Sequence, residues 1–373
     1  MRISHALQYL APGVAAAALV VACSDSTGPG SLANPTQFSA AVASIDSSFT
    51  SPLFASFAAV GGVVTATGPT AVAPFGGLLA GTLPRLPGLA GRAFANAERA
   101  RALQRLAPAL SLMASPSGIF PDSIRGTTFT YDCGGLTYIR DTVSGADPNG
   151  IRIVLYAVDQ GGGAIICPTT EVGTLDIIDV GTPTVPAVRV LVKGTNAVTY
   201  VDYTVSGTST NTSFTATVAG YVTDGTHRLD FSYTITGNLT GVTANATLDN
   251  DAADAHVALY ERLSINGDKL SFSIDYRISH GGETVRLAGS MTVDSLGNVT
   301  AHFTVQAGGG TFATIAATPS DTGEVMTFRG PGGRELTAEE LEAIERLFEA
   351  PQNLFNHLSD LVAPAGSLVG IGA

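Results

Sequence analysis

Hydrophobic and polar positions alternate with a period of two through much of the middle of the chain. In KLSFSIDYRIS, Leu270, Phe272, Ile274, Tyr276 and Ile278 share one parity, and Lys269, Ser271, Ser273, Asp275, Arg277 and Ser279 share the other. Successive side chains of a strand point to opposite faces, so this run reads as a strand with one apolar and one wet face. The same alternation groups Val285, Leu287, Met291 and Val293 in ETVRLAGSMTVD, and Val299, Phe303 and Val305 in NVTAHFTVQ. Between such runs stand Asp224-Gly225, Asn266-Gly267, Gly281-Gly282 and Gly297-Asn298, pairs that suit short hairpin turns. Strands joined by tight turns predict an antiparallel meander over residues 127–330, with about twelve strands by turn spacing.

A sheet with one apolar face must cover that face with another layer or curl on itself. The flanking segments offer the cover. Over 331–373, Thr337 with Glu340 makes a capping box, and Leu341, Ile344, Leu347 and Phe348 follow at helical spacing. Beyond Pro351 the stripe continues through Leu354, Phe355, Leu358, Leu361 and Val362, which predicts a kinked amphipathic helix and tail. Residues 36–126 form an Ala-rich segment, helical in places and rich in Gly and Pro. Within it, Arg92, Arg99, Arg101 and Arg105 oppose Leu103, Leu106, Leu110 and Met113, and Pro108 kinks or ends that helix. No charged residue occurs between Asp46 and Arg85, and so uncharged a stretch is expected to pack over or under the sheet, the alternative being a mobile flap that covers a ligand cavity or touches lipid. The expected fold is therefore α+β and mainly β: a large curved antiparallel meander sheet packed on N- and C-terminal helices.

The first residues have a different texture. Arg2 precedes an apolar run from about Leu10 to Val21, too short to span a bilayer and patterned like the h-region of a secretory signal. The run ends in Val20-Val21-Ala22-Cys23, followed by the small polar residues Ser24 to Ser31. This motif resembles the bacterial lipobox, the site at which a lipoprotein leader is cut and the cysteine thiol receives diacylglycerol. The resemblance implies a signal peptide over 1–22, Cys23 as the lipidated first residue, and a membrane partner held through that anchor. Residues 23–35 then serve as a flexible tether, since they cannot bury enough apolar surface to fold. Ser24 beside the cysteine, where retention at the inner membrane often goes with Asp, implies a bacterial cell envelope location at the outer membrane.

Charge narrows the partners. With 31 acidic against 19 basic residues, a net charge of −12 argues against nucleic acid and against electrostatic docking on anionic lipid, both of which need basic patches. An envelope compartment permits disulfides, and the remaining cysteines, Cys133 and Cys167, form an even pair. Closing a loop of about 35 residues between them is worth roughly 3–4 kcal/mol on the chain-entropy account. Neither cysteine has a partner at zinc-ligand spacing, so no metal is expected there.

Catalytic signatures are absent from the sequence. There is no nucleophile elbow, P-loop, zincin motif or dinucleotide fingerprint, so the chain is read as a non-enzyme without cofactors. His227, His256, His280, His302 and His357 are scattered, and each reads as a surface histidine. DNDAADAH gathers Asp249, Asp251 and Asp254 but lacks the glycine and distal glutamate of a calcium loop, and reads as an acidic turn. Glu261 stands apart. In HVALYERLSI it falls in register with Val257, Leu259, Leu263 and Ile265, which aims a carboxylate at the apolar face. Either a polar spot lies inside a cavity, or a bulge returns the side chain to water, or an arginine of a covering helix pairs with it.

The architecture looks like that of bacterial lipoprotein carriers, in which a half-open barrel wraps helices. The likeness covers at most Thr127 to the C-terminus and carries no residue-level motif. It implies a lipid or other hydrophobic ligand held between sheet and helices, with Phe272, Ile274 and Glu261 as inward candidates. The competing expectation is a structural or interaction scaffold with a solid core and a protein partner left open. An outer-membrane barrel with its apolar side outward would show similar alternation. The absence of Trp and the helical C-terminus weigh against it.

Overall fold

The computed structural model describes residues 120–347, apart from 121, 142–144, 160–163, 211, 239, 253, 267–268, 295, 297, 321–322 and 345–346. Its strands are β1 (Thr127–Asp132), β2 (Thr137–Arg140), β3 (Gly150–Tyr156), β4 (Glu171–Asp179) and β5 (Ala187–Gly194). They continue as β6 (Thr199–Ser209), β7 (Ser213–Thr223), β8 (Arg228–Asn238), β9 (Gly241–Asn250) and β10 (Ala255–Asn266). The last five are β11 (Lys269–His280), β12 (Glu283–Val293), β13 (Val299–Ala307), β14 (Gly310–Ser320) and β15 (Gly323–Arg329). All fifteen belong to one open, curved sheet in which each strand from β4 to β15 lies beside its sequence neighbours, while β3 lies between β4 and β1.

Two details correct the sequence reading. Fifteen strands exceed the expected twelve, because a strand as short as the four-residue β2 carries too little alternation to be counted. The sheet is also not wholly antiparallel: β1 runs parallel to β3, with Thr127 opposite Ile151 and Phe129 opposite Ile153. The β1–β2 hairpin has already reversed the chain, so β3 begins beside the start of β1 and runs in the same direction. Gly126 N–H donates to Gly150 O and Asp141 N–H to Thr128 O, which fixes that placement.

The long hairpins form where period-two runs meet turn residues. Gly281 and Gly282 both hold positive φ, 56° and 83°, between His280 and Glu283, the backbone that a two-residue turn matched to strand twist requires. Continuous register through β6 to β13 then puts the alternate apolar residues on one face. Val218, Tyr233, Ala246, Leu259, Tyr276, Leu287 and Val305 stand opposite one another in sequence across seven strands. These residues are buried and belong to one apolar cluster.

Close approach to glycine shapes that face. Gly220 on β7 sits between Tyr203 on β6 and Phe231 on β8, whose ring centroids are 6.2 Å apart. A Cβ at Gly220 would collide with the backbone and side chain of Tyr203. Phe303 likewise crosses Gly289 on β12. Large rings thus fill space that small neighbours leave, which keeps the face dense without overpacking.

The capping box forms as expected: Thr337 N–H donates to Glu340 Oε2 at 2.9 Å and Glu340 N–H to Thr337 Oγ1 at 3.3 Å. Residues 338–344 are helical, and Ile344 and Leu347 are buried within the same apolar cluster as the strands. The expected leader, Cys23, the expected tether, the expected helical segment and the uncharged stretch before 120, and the apolar positions from Phe348 onward lie outside the described residues.

Candidate functional site

The two faces of the sheet differ in chemistry. The outward face carries ion pairs that run from strand to strand. Arg189 Nη2 donates to Asp202 Oδ2 at 2.7 Å, Arg228 caps the Tyr221 ring at 3.7 Å from its centroid, and Asp275 accepts from both Arg286 and Arg277. The two forks hold the Asp275 carboxyl down at about 2, with the Arg286 hydrogen bonds the largest cause. The acidic turn is also occupied by its own contacts: Asp251 accepts from Arg228 N–H, and Asp249 engages His256 Nδ1. Among the described residues no group of three His, Cys, Asp or Glu is placed to hold a metal ion. His227 and His256 are half exposed, His302 is exposed, and His357 lies outside the described residues.

Only two charged side chains are buried among the described residues, Asp176 and Glu261. Asp176 on β4 alternates with the inward Leu175 and Ile177 and so faces the other way. Arg152 meets it with two hydrogen bonds, Nε to Oδ1 at 2.6 Å and Nη2 to Oδ2 at 2.9 Å. A bidentate guanidinium fork satisfies a carboxylate well.

Glu261 has no such partner. It is 4% exposed, and Oε1 makes no hydrogen bond. The register of β10 is unbroken against both neighbours, with Glu261 opposite Ala244 on β9 and Ile274 on β11. The bulge that would have turned it to water is therefore absent. Arg262 and Arg277, the nearest basic residues along these strands, have the opposite parity and are exposed. Burial alone pushes the Glu261 carboxyl well above the usual carboxylate range. Tyr276, diagonal to it on β11 and buried, has its phenol raised first by burial and then by the Glu261 charge.

The expected inward residues come together here. Ile274 is the direct partner of Glu261, and Phe272 pairs with Leu263 one step along the same face. Phe272 is buried, whereas Ile274, Leu263, Ile265 and Leu270 are only half buried. Gly289, the partner of Ile274 on β12, is half buried as well. The apolar face is thus sealed toward the β11–β12 turn and partly open toward the β10–β11 turn. Sequence reasoning found Glu261, Phe272 and Ile274 from parity alone. It missed Tyr276 as a neighbour of the acid and Gly289 as the small partner of Ile274, because cross-strand partners are invisible until register is known.

At the other end of the sheet, Cys133 and Cys167 are joined in a disulfide with Cα atoms 6.0 Å apart. The bond links the end of β1 to the segment before β4, beside Tyr131, whose ring lies edge-on to Tyr138 at 5.4 Å. No known protein family, curated protein or solved structure matches the chain.

Proposed function

We propose that this chain is a lipid-anchored protein of the bacterial envelope that binds a hydrophobic molecule on the inward face of its sheet. Lipidation at Cys23 tethers it to the outer membrane, and helices from the N- and C-terminal segments cover the sheet. The observation that carries the reading is the Glu261 patch. A buried carboxyl with an unfilled acceptor is costly, and it stands next to half-buried aliphatic side chains instead of a sealed core.

Two features disfavour the barrel alternative. The edge strands β2 and β15 each have one neighbour, and a membrane barrel must close. The outward face bears Arg189, Asp202, Arg228, Asp230, Asp275 and Arg286, which lipid would not tolerate at such density. A scaffold with a solid core would leave Glu261 without purpose.

The test is native mass spectrometry with solvent extraction on the full chain purified from membranes. A co-purifying apolar species beyond the anchor mass is expected. Protein that emerges free of such species, and stays free after incubation with envelope lipids, overturns the reading in favour of the scaffold.

A further inference from the structure

We infer that Glu261 selects, among apolar molecules, those whose head carries a neutral hydrogen-bond donor, a hydroxyl or an amide N–H, and that such a ligand enters head first. The inference rests on the hydrophobic-ligand reading and specifies its chemistry.

The unfilled atom is Oε1, and an oxygen without a partner calls for a donor. The neighbouring inward residues decide which donor. Ala244, Ile274, Leu259, Leu263 and Phe272 are all apolar, and the phenol of Tyr276 is the remaining polar group facing the acid from β9 and β11. An ammonium head would have to leave water for a site holding one carboxyl and no charge to help. Burial favours the protonated form of that carboxyl, so the cation would give up its hydration for a single uncharged acceptor. An anionic head would meet an acid and no inward Arg or Lys of these strands. A neutral donor fills the acceptor with neither cost.

Orientation follows from exposure along β10 and β11. Glu261 is buried, whereas Leu263, Ile265 and Leu270, progressing toward the turn, are half buried. Four residues of strand separate Glu261 from Ile265, about 14 Å, which suits an alkyl chain of medium length. The head therefore lies deep at Glu261 and the tail runs outward over Phe272 and Leu270.

The experiment is native mass spectrometry of the full chain released from detergent micelles, with dodecanol, dodecylamine and dodecanoate added in equal amounts. Dodecanol is expected to occupy the protein at least ten times more than either charged analogue. Glu261→Gln, whose amide oxygen still accepts, should keep that preference. Glu261→Leu should still bind dodecyl chains but discriminate less than twofold. Equal occupancy by all three heads, or an unchanged preference in Glu261→Leu, overturns the assignment while leaving hydrophobic binding intact. No occupancy by any dodecyl chain overturns the hydrophobic-ligand reading itself, and this inference with it.

Discussion

Asp176 on β4 and Glu261 on β10 are both nearly sealed from solvent, yet only Asp176 is met by a cation. The consequence is a pH signature. Glu261 has a folded value above its unfolded one, so below about pH 4.5 both states hold the proton and nothing is lost. As pH rises past that point the unfolded chain releases its proton and the folded chain does not, so stability falls, by at most about 1.4 kcal/mol per pH unit. Glu261→Gln should flatten this slope and exceed the ligand-free parent in stability at pH 8, with the gap closing toward pH 4. Urea titrations at the two pH values check it, and parallel stabilities at both would mean that the folded protein holds Glu261 as a solvated carboxylate. Asp275 acts in the opposite direction. Its depressed folded value makes its contribution full above about 3.8 and lost as pH falls toward about 2. Asp275→Asn should therefore blunt acid unfolding below pH 4 while leaving the neutral slope alone, as circular dichroism across pH 2–6 would register. The inward direction of Glu261 was legible in the sequence because parity is local. Its lack of a partner was not, since that depends on β9 and β11 supplying Ala244 and Ile274 instead of a base.

Hairpin by hairpin, the sheet tests how far turn chemistry and alternation determine pairing. The run from β10 to β13 was readable because its strands are long, its apolar residues alternate, and Gly281-Gly282 sets the register between β11 and β12. The start of the sheet was not readable. Strands of four to seven residues give little alternation, and nothing local announces that β3 returns beside β1 in parallel. Nor did the sequence announce that rings would lie across glycines on adjacent strands. Gly289→Val should cost about 1–3 kcal/mol, because the added side chain must displace Phe303 or break the β12–β13 ladder. Thermal melts would show the loss, whereas Gly309→Asn should be nearly neutral, since its turn position is open and asparagine tolerates positive φ. The disulfide stabilises a different region. Cys133→Ser with Cys167→Ser should lower stability by roughly 3 kcal/mol by chain entropy. Hydrogen exchange should rise first in β1 and β2, the edge hairpin with one flanking neighbour.

Fifteen strands at about 4.8 Å spacing would span about 70 Å if flat, well beyond the width at which open sheets stay uncurled. Curvature accommodates that breadth, and the ion pairs of the polar face keep that side in water. The proposed anchor adds a third part that is separable from both. A tether of residues 23–35 behaves as a flexible chain with a root-mean-square reach of about 20 Å, so the sheet has no need to touch the membrane to stay near it. Membrane attachment and ligand binding should then respond to different substitutions. Cys23→Ser should move the protein from the membrane to the soluble fraction and remove the diacylglycerol mass, while its melting temperature and its co-purifying apolar species stay as in the parent. Glu261→Leu should do the reverse, leaving fractionation unchanged and altering which molecules are carried. Fractionation, intact mass and lipid extraction on the two variants read both arms. If Cys23→Ser remains membrane-bound, the folded part itself holds lipid, and the partly open apolar face beside Ile274 becomes the first surface to examine for that contact.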